Sequence, residues 1–308
     1  MAPNKPTIDD AAPAAKARPV GILLALAGVL LLTPDTLLIR IGDMSGNQTV
    51  AWRGLLSSLV YFVIWLFTRR GGLVADFIKL GSVAGILVIL SQAMNASLFA
   101  LGVAIAPVSV VLFGVATVPI IAAILSWLIA GEGVSKSLWI TTILVFFGIT
   151  LAIFGGEGGG IVVDTNTIIG GLFGIGVGFS IALSLVLIRL HSDLPFVLAI
   201  AVGALLSGIY GYIMAAGDLT SGGDVIPIII TGIFILPVSF FMLSLASRYT
   251  LPANVSLILL LETVLGPIWV WWGVGEAPTT AMIIGGVIVV TTLARYLWLN
   301  LRREKPQG

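Results

Sequence analysis

The side chains in this sequence that could do chemistry are few, and most of them sit where charge is expensive. Glu262 lies about ten residues into the apolar run 252–274. A carboxyl at that depth is costly as an anion, so it must be neutral, paired or hydrated, and it could bind and release a proton. A hydrogen-bonded structural carboxyl is the competing reading. Asp35 and Arg53 stand about five residues from the facing ends of two consecutive apolar runs, 20–40 and 48–67. Because those runs point in opposite directions, the two charges fall within about a helical turn in depth at 1.5 Å per residue. An ion pair between them would lower the burial cost of both and could serve as an outer gate. A static staple between neighbouring helices, or outward snorkelling of Arg53, fits the spacing equally well.

Other candidates are polar but neutral. Pro34 removes a backbone donor inside the first run, which frees a carbonyl and favours a break lining a cavity over a silent kink. Gln92 and Asn95 are one helical turn apart on the run 79–101, with Ser91 beside them. Thr117 stands in the run 107–130. Each of these could hold an amino or carboxyl group of a small solute, or form an interhelical hydrogen bond worth about 0.6 kcal/mol. Trp269 could line a cavity. Trp52, Trp65, Trp271 and Trp272 read as interfacial rings at the ends of runs.

Several chemistries are absent. The chain has no cysteine and a single histidine, His191, which excludes thiolate sites and disulfides and argues against zinc or a Ser-His triad. Asp35 has no second membrane-centre aspartate for a di-aspartyl protease, and no GxxxxGK[ST] cradle for phosphate occurs. Fifteen basic against fourteen acidic residues give a net charge of +1, too little for a nucleic-acid field. No cofactor is expected.

These residues are set in an unusually apolar chain. Of 308 residues, 58% are hydrophobic and 9% charged, with mean hydropathy +1.16. Soluble domains carry about 25% charged residues, so the chain must be embedded in a lipid bilayer. Ten apolar runs are long enough to cross it: 20–40, 48–67, 79–101, 107–130, 138–154, 167–189, 195–216, 225–246, 252–274 and 279–299. Strand-like alternation is missing, so the spans are predicted to be helices. Residues 1–19 are rich in Ala and Pro and read as a disordered cytoplasmic tail, and 300–308 as a second, basic one. Lys and Arg collect in the segments on one side of this topology. Asp43, Glu157, Asp164, Asp218, Asp224 and Glu276 fall on the other, placing both termini in the cytoplasm.

The sequence also repeats. LLIR at 37–40 matches VLIR at 186–189, and Gly54, Ser58 and Tyr61 fall on Gly203, Ser207 and Tyr210 at the same offset. With small gaps, Pro107 and Gly131-Glu132 fall on Pro252 and Gly275-Glu276. Five spans per half is an odd number, which inverts the second half and points to a transporter with a site near the midplane. The halves are 20–154 and 167–299, joined by an external glycine-rich linker at 155–166. Gly170, Gly174 and Gly178, like Gly203, Ser207 and Gly211, repeat at four-residue spacing and read as close helix packing.

PIIAAILSWLIAGE at 119–132 and ETVLGPIWVWWGVGE at 262–276 resemble the conserved element of the EamA-type transporters of the drug/metabolite transporter superfamily. Pro34-Asp35 and Trp52-Arg53-Gly54 are also similar to that family, and Thr263 stands where it usually has proline. The resemblance covers residues 21–299 and implies a ten-helix carrier that moves small metabolites, often outward, without ATP.

The expectation is an all-α integral membrane protein of ten transmembrane helices in two inverted five-helix repeats. Its function would be secondary export of a small metabolite, such as an amino acid or amine, across the inner or plasma membrane. The expected partners are that solute, the bilayer and protons as coupling ion, with no nucleic acid, in a monomer or homodimer. A cation-conducting channel or downhill facilitator is the alternative.

Overall fold

A computed structural model of the protein describes residues 8–69, 72–106, 108–131, 136–154, 165–275 and 280–302. The glycine-rich run 155–160, Pro107, Glu132 and Glu276 lie outside them. Every element among the described residues is helical. In chain order these are α1 (Ile8–Leu32), α2 (Asp35–Gly42), α3 (Gly46–Thr68), α4 (Leu73–Leu80) and α5 (Val83–Ile105). They continue with α6 (Val108–Val115), α7 (Val118–Ala130) and α8 (Lys136–Phe154). The second half holds α9 (Thr165–Leu190), α10 (Phe196–Met214), α11 (Val225–Ile230), α12 (Leu236–Tyr249), α13 (Pro252–Leu259), α14 (Leu261–Val274) and α15 (Thr280–Arg302). Helix α1 begins at Ile8, so it reaches back into the segment expected to be a disordered tail.

Among the described residues, eight helical stretches, some of them broken into shorter helices, are long and apolar enough to cross a bilayer. Helices α8 and α15 carry shorter apolar stretches, Lys136–Leu151 and Ile283–Tyr296. Large apolar side chains such as Leu59, Phe67, Val83, Phe147 and Trp272 face outward, which only a hydrocarbon surround makes favourable. The protein is a multi-pass membrane protein.

The helices pair across the two halves: α3 on α10, α8 on α15, α1 on α12, α5 on α9, and α7 on α13. Glycine makes the α3–α10 crossing close, since a Cβ on Gly54 would strike the backbone of Gly208, and one on Gly208 would lie 2.6 Å from the Leu55 nitrogen. The Gly170–Gly174–Gly178 stripe packs as expected, facing Ala106, Val111 and Thr117. The second stripe divides: Gly203 and Ser207 face α5, whereas Gly211 meets α3.

Hydrogen bonds tie both ends of the bundle. At one end, Gln48 Nε2 donates to the Ser221 carbonyl at 3.0 Å and Trp52 Nε1 to the Leu219 carbonyl at 2.8 Å. In that loop, hydrogen bonds from the Ser221 hydroxyl and from the Ser221 and Thr220 amides hold the Asp218 carboxyl below the usual range. At the other end, Arg189 donates to the Thr250 carbonyl at 2.8 Å and Tyr296 to Asn254 Oδ1 at 2.6 Å. Two tryptophans depart from the interfacial reading. Trp52 clamps a loop, and Trp65 is buried, donating to Asp76 on α4 at 2.9 Å.

Candidate functional site

Breaks in the spans build the site. Pro34 cannot donate to the Leu30 carbonyl, and the hydroxyl of Thr33 does so instead at 2.9 Å. Trp269 Nε1 in turn donates to Thr33 Oγ1 at 2.8 Å, locking α14 onto the break. The chain then restarts as α2 with Asp35 in its first turn. In the span of α6 and α7, the amide and hydroxyl of Thr117 both reach the Gly114 carbonyl, at 3.1 and 2.7 Å. In the span of α13 and α14, the amide and hydroxyl of Thr263 reach the Leu260 carbonyl at 3.2 and 2.7 Å. The kink that proline usually gives is therefore present without it, capped by the threonine hydroxyl.

A fourth break was not foreseen. Residues Thr231–Ile235 form a π-helical turn ahead of Pro237, with the Leu236 amide reaching back to the Thr231 carbonyl. The Gly232 carbonyl loses its helical donor and accepts from Ser57 Oγ on α3 at 2.9 Å. Tyr61 OH donates to the Leu236 carbonyl at 2.9 Å. Helix α3 thereby anchors the irregular part of the neighbouring span.

Where the breaks converge lies a cavity of about 70 Å³, measured as space open to the centres of water molecules. One water needs about 10–15 Å³ on that measure, so the cavity has room for several waters or one small organic molecule. Asp35, Arg53, Gln92, Asn95 and Glu262 all line it. Arg53 Nη2 meets Asp35 Oδ2 at 2.6 Å, and both side chains are buried, at 9% and 2% exposure. The pair is incomplete: Asp35 Oδ1 and Arg53 Nη1 are buried with no protein partner. The Arg53 guanidinium also lies 5.7 Å from the Phe99 ring centre. Glu262 is buried and interacts electrostatically with both Asp35 and Arg53. Two acids, one base, two carboxamides and aromatic walls thus face one small volume.

The remaining candidates fall elsewhere. Pro34 and Thr117 shape breaks and leave the cavity wall to their neighbours Leu32, Asp35 and Val115. Ser91 is buried off the wall. Trp269 is also off the wall, because its indole is committed to Thr33. Conversely, Ser57, Tyr61, Phe99 and Phe240 line the cavity without having been singled out for it. The signal for three of them was helical spacing, since Ser57 and Tyr61 follow Arg53 at steps of four and Phe99 follows Asn95 likewise.

A crystal structure of a protein 16% identical in sequence superposes with a TM-score of 0.73, covering 94% of this chain and all of that one, which shows a shared fold. No curated protein matches the sequence. Residues 19–154 match the model of the EamA-like transporter family. With apolar helices among the described residues and a cavity bearing buried charged groups at their breaks, the chain is a multi-pass membrane protein whose residues 19–154 are similar to the EamA-like transporter family.

Proposed function

We propose that the protein is a secondary exporter of a small polar or amphipathic metabolite, such as an amino acid or amine, working by alternating access across an inner or plasma membrane. The observation that carries this reading is the half-satisfied ion pair on the wall of the central cavity. Asp35 Oδ1 is free to accept from an ammonium and Arg53 Nη1 to donate to a carboxylate, while Phe99 and Phe240 supply apolar surface. A solute carrying such groups recovers hydrogen bonds that the empty cavity leaves unmade.

The carrier is read as ten spans in two inverted five-helix repeats. Exchanging the halves maps the helix pairing onto itself: the contact of α1 with α12 becomes that of α9 with α5, while α3–α10 and α8–α15 map onto themselves. The Thr117 and Thr263 breaks use the same amide-and-hydroxyl pattern in matching spans. Both supports favour a rocking carrier over a channel, whose acidic ring or carbonyl filter has no counterpart among the described residues.

Glu262 is read as the coupling group, taking up and releasing a proton as the cavity changes sides. Transport of amino acids and amines into vesicles reconstituted with parent or Glu262→Gln protein tests this. The expected result is pH-dependent, gradient-driven uptake in the parent, and loss of the gradient-driven component, by tenfold or more, with exchange retained in the variant. Identical pH profiles at identical rates would remove Glu262 from the mechanism. Accelerated counterflow separates a carrier from a conducting pore, which shows none.

A further inference from the structure

Behind the central cavity lies a second, smaller chamber of about 10 Å³. The two share four wall residues, Gln92, Ile181, Phe240 and Leu259. The chamber's other polar lining is Ser184 and Ser244, late in α9 and α12, with Val255 early in α13. It therefore lies toward the membrane face that carries the turns at 191–195 and 250–251. Across the boundary, Gln92 Nε2 donates to Ser184 Oγ at 3.2 Å. None of the residues lining the chamber is ionisable, whereas the central cavity presents Asp35, Arg53 and Glu262.

We infer that the partition of Gln92, Ile181, Phe240 and Leu259, latched by the Gln92–Ser184 hydrogen bond, is the seal of the central cavity toward the His191 face, and that the chamber behind it is a station for one neutral hydrogen-bonding group. The inference rests on the central cavity being the solute site. Its volume suits a single water, which needs two to four polar partners, and Gln92, Ser184 and Ser244 provide them. An ion crossing here would leave three charged groups for a wall with none, so the partition resists leakage of charge. A neutral group crosses by exchanging hydrogen bonds, because the Gln92 carboxamide offers donors and an acceptor to both sides. Gln92 is thus a positioning residue at the partition as well as a wall residue of the cavity.

The absence of native cysteine makes the test direct. Asn95→Cys places a thiol on the central cavity, and a membrane-impermeant trimethylammonium methanethiosulfonate is added to vesicles from either face. Adding Phe240→Ala or Ser184→Ala to that background is expected to speed labelling from the His191 face alone. For Ser184→Ala the rise should be about threefold, the factor that corresponds to a membrane hydrogen bond of about 0.6 kcal/mol. Unchanged rates from that face, or equal acceleration from both faces, would overturn the seal. Should Phe240→Ala fail to fold, Ser184→Ala, which deletes one hydroxyl, still decides. The assay uses no solute, so the expected labelling with no transport of any kind would reject the transport reading and leave the seal standing.

Discussion

Arg53 meets Asp35 through a single nitrogen–oxygen contact, so each partner stabilises the other while keeping one polar atom for something else. Removing one partner of a buried pair costs about 3–5 kcal/mol, because an uncompensated charge is left behind. Asp35→Asn or Arg53→Gln alone should therefore lower thermal stability in detergent and abolish transport. The double variant should recover more than about 1 kcal/mol of the summed stability loss, as coupled neighbours do. Strictly additive losses in that cycle would mean that the pair is not formed in the membrane. The equal depth of the two charges was legible from the sequence because chain direction and rise per residue fix it. Which atoms stay unpaired was not, since that depends on the angle at which α2 leaves the Thr33-Pro34 break.

Among the elements, the span of α13 and α14 best separates pattern from mechanism. Thr263 occupies the third position of α14, in its first turn, where a proline is tolerated, and its hydroxyl caps the Leu260 carbonyl. Thr263→Val should lose about 0.5–1.5 kcal/mol by leaving that carbonyl to the amide alone. Thr263→Pro should keep the kink and transport within a few-fold of the parent. Melting curves in detergent and initial uptake rates would check both, and a valine variant as stable as the parent, or a proline variant that loses transport, would sink the account. The α3–α10 crossing carries a second expectation. Gly208→Ala places a methyl against the Leu55 amide and should cost about 1–3 kcal/mol of overpacking, whereas Gly72→Ala, with nothing near its Cβ, should be neutral. Four-residue spacing of small residues announces close packing. It does not say which of several neighbouring helices each residue will meet, and Gly211 and Gly203 turn to different ones.

On the scale of the whole molecule, we propose from the positive-inside pattern of the sequence that both termini are cytoplasmic and the glycine-rich run 155–160 external. A Gly158→Cys variant should react with an impermeant thiol reagent added outside intact cells. A reporter fused after Gly308 should behave as cytoplasmic. Labelling of Gly158→Cys from the cytoplasm alone would reverse the topology, and with it the direction assigned to the seal between the two chambers.

What the sequence determined by itself is the part governed by the solvent. With 9% charged residues the chain has no water-compatible surface to build, so membrane insertion, helical spans and the high cost of Glu262, Asp35 and Arg53 all follow from composition and position along the chain. The paired breaks were half legible: Pro34 announced one, Thr263 concealed another, and the π-helical turn ahead of Pro237 needed Ser57 on a different helix to take up its freed carbonyl. Only the tertiary structure decided which polar groups meet. Trp269 and Thr117 were candidates alongside Asn95, yet Trp269 is committed to Thr33 on another span and Thr117 to the Gly114 carbonyl one turn back, and neither lines the cavity that Asn95 lines. The physical reason is that periodicity fixes the face of a helix but not its partner. A site made where eight spans converge depends on crossing angles set by glycine contacts and by the breaks themselves.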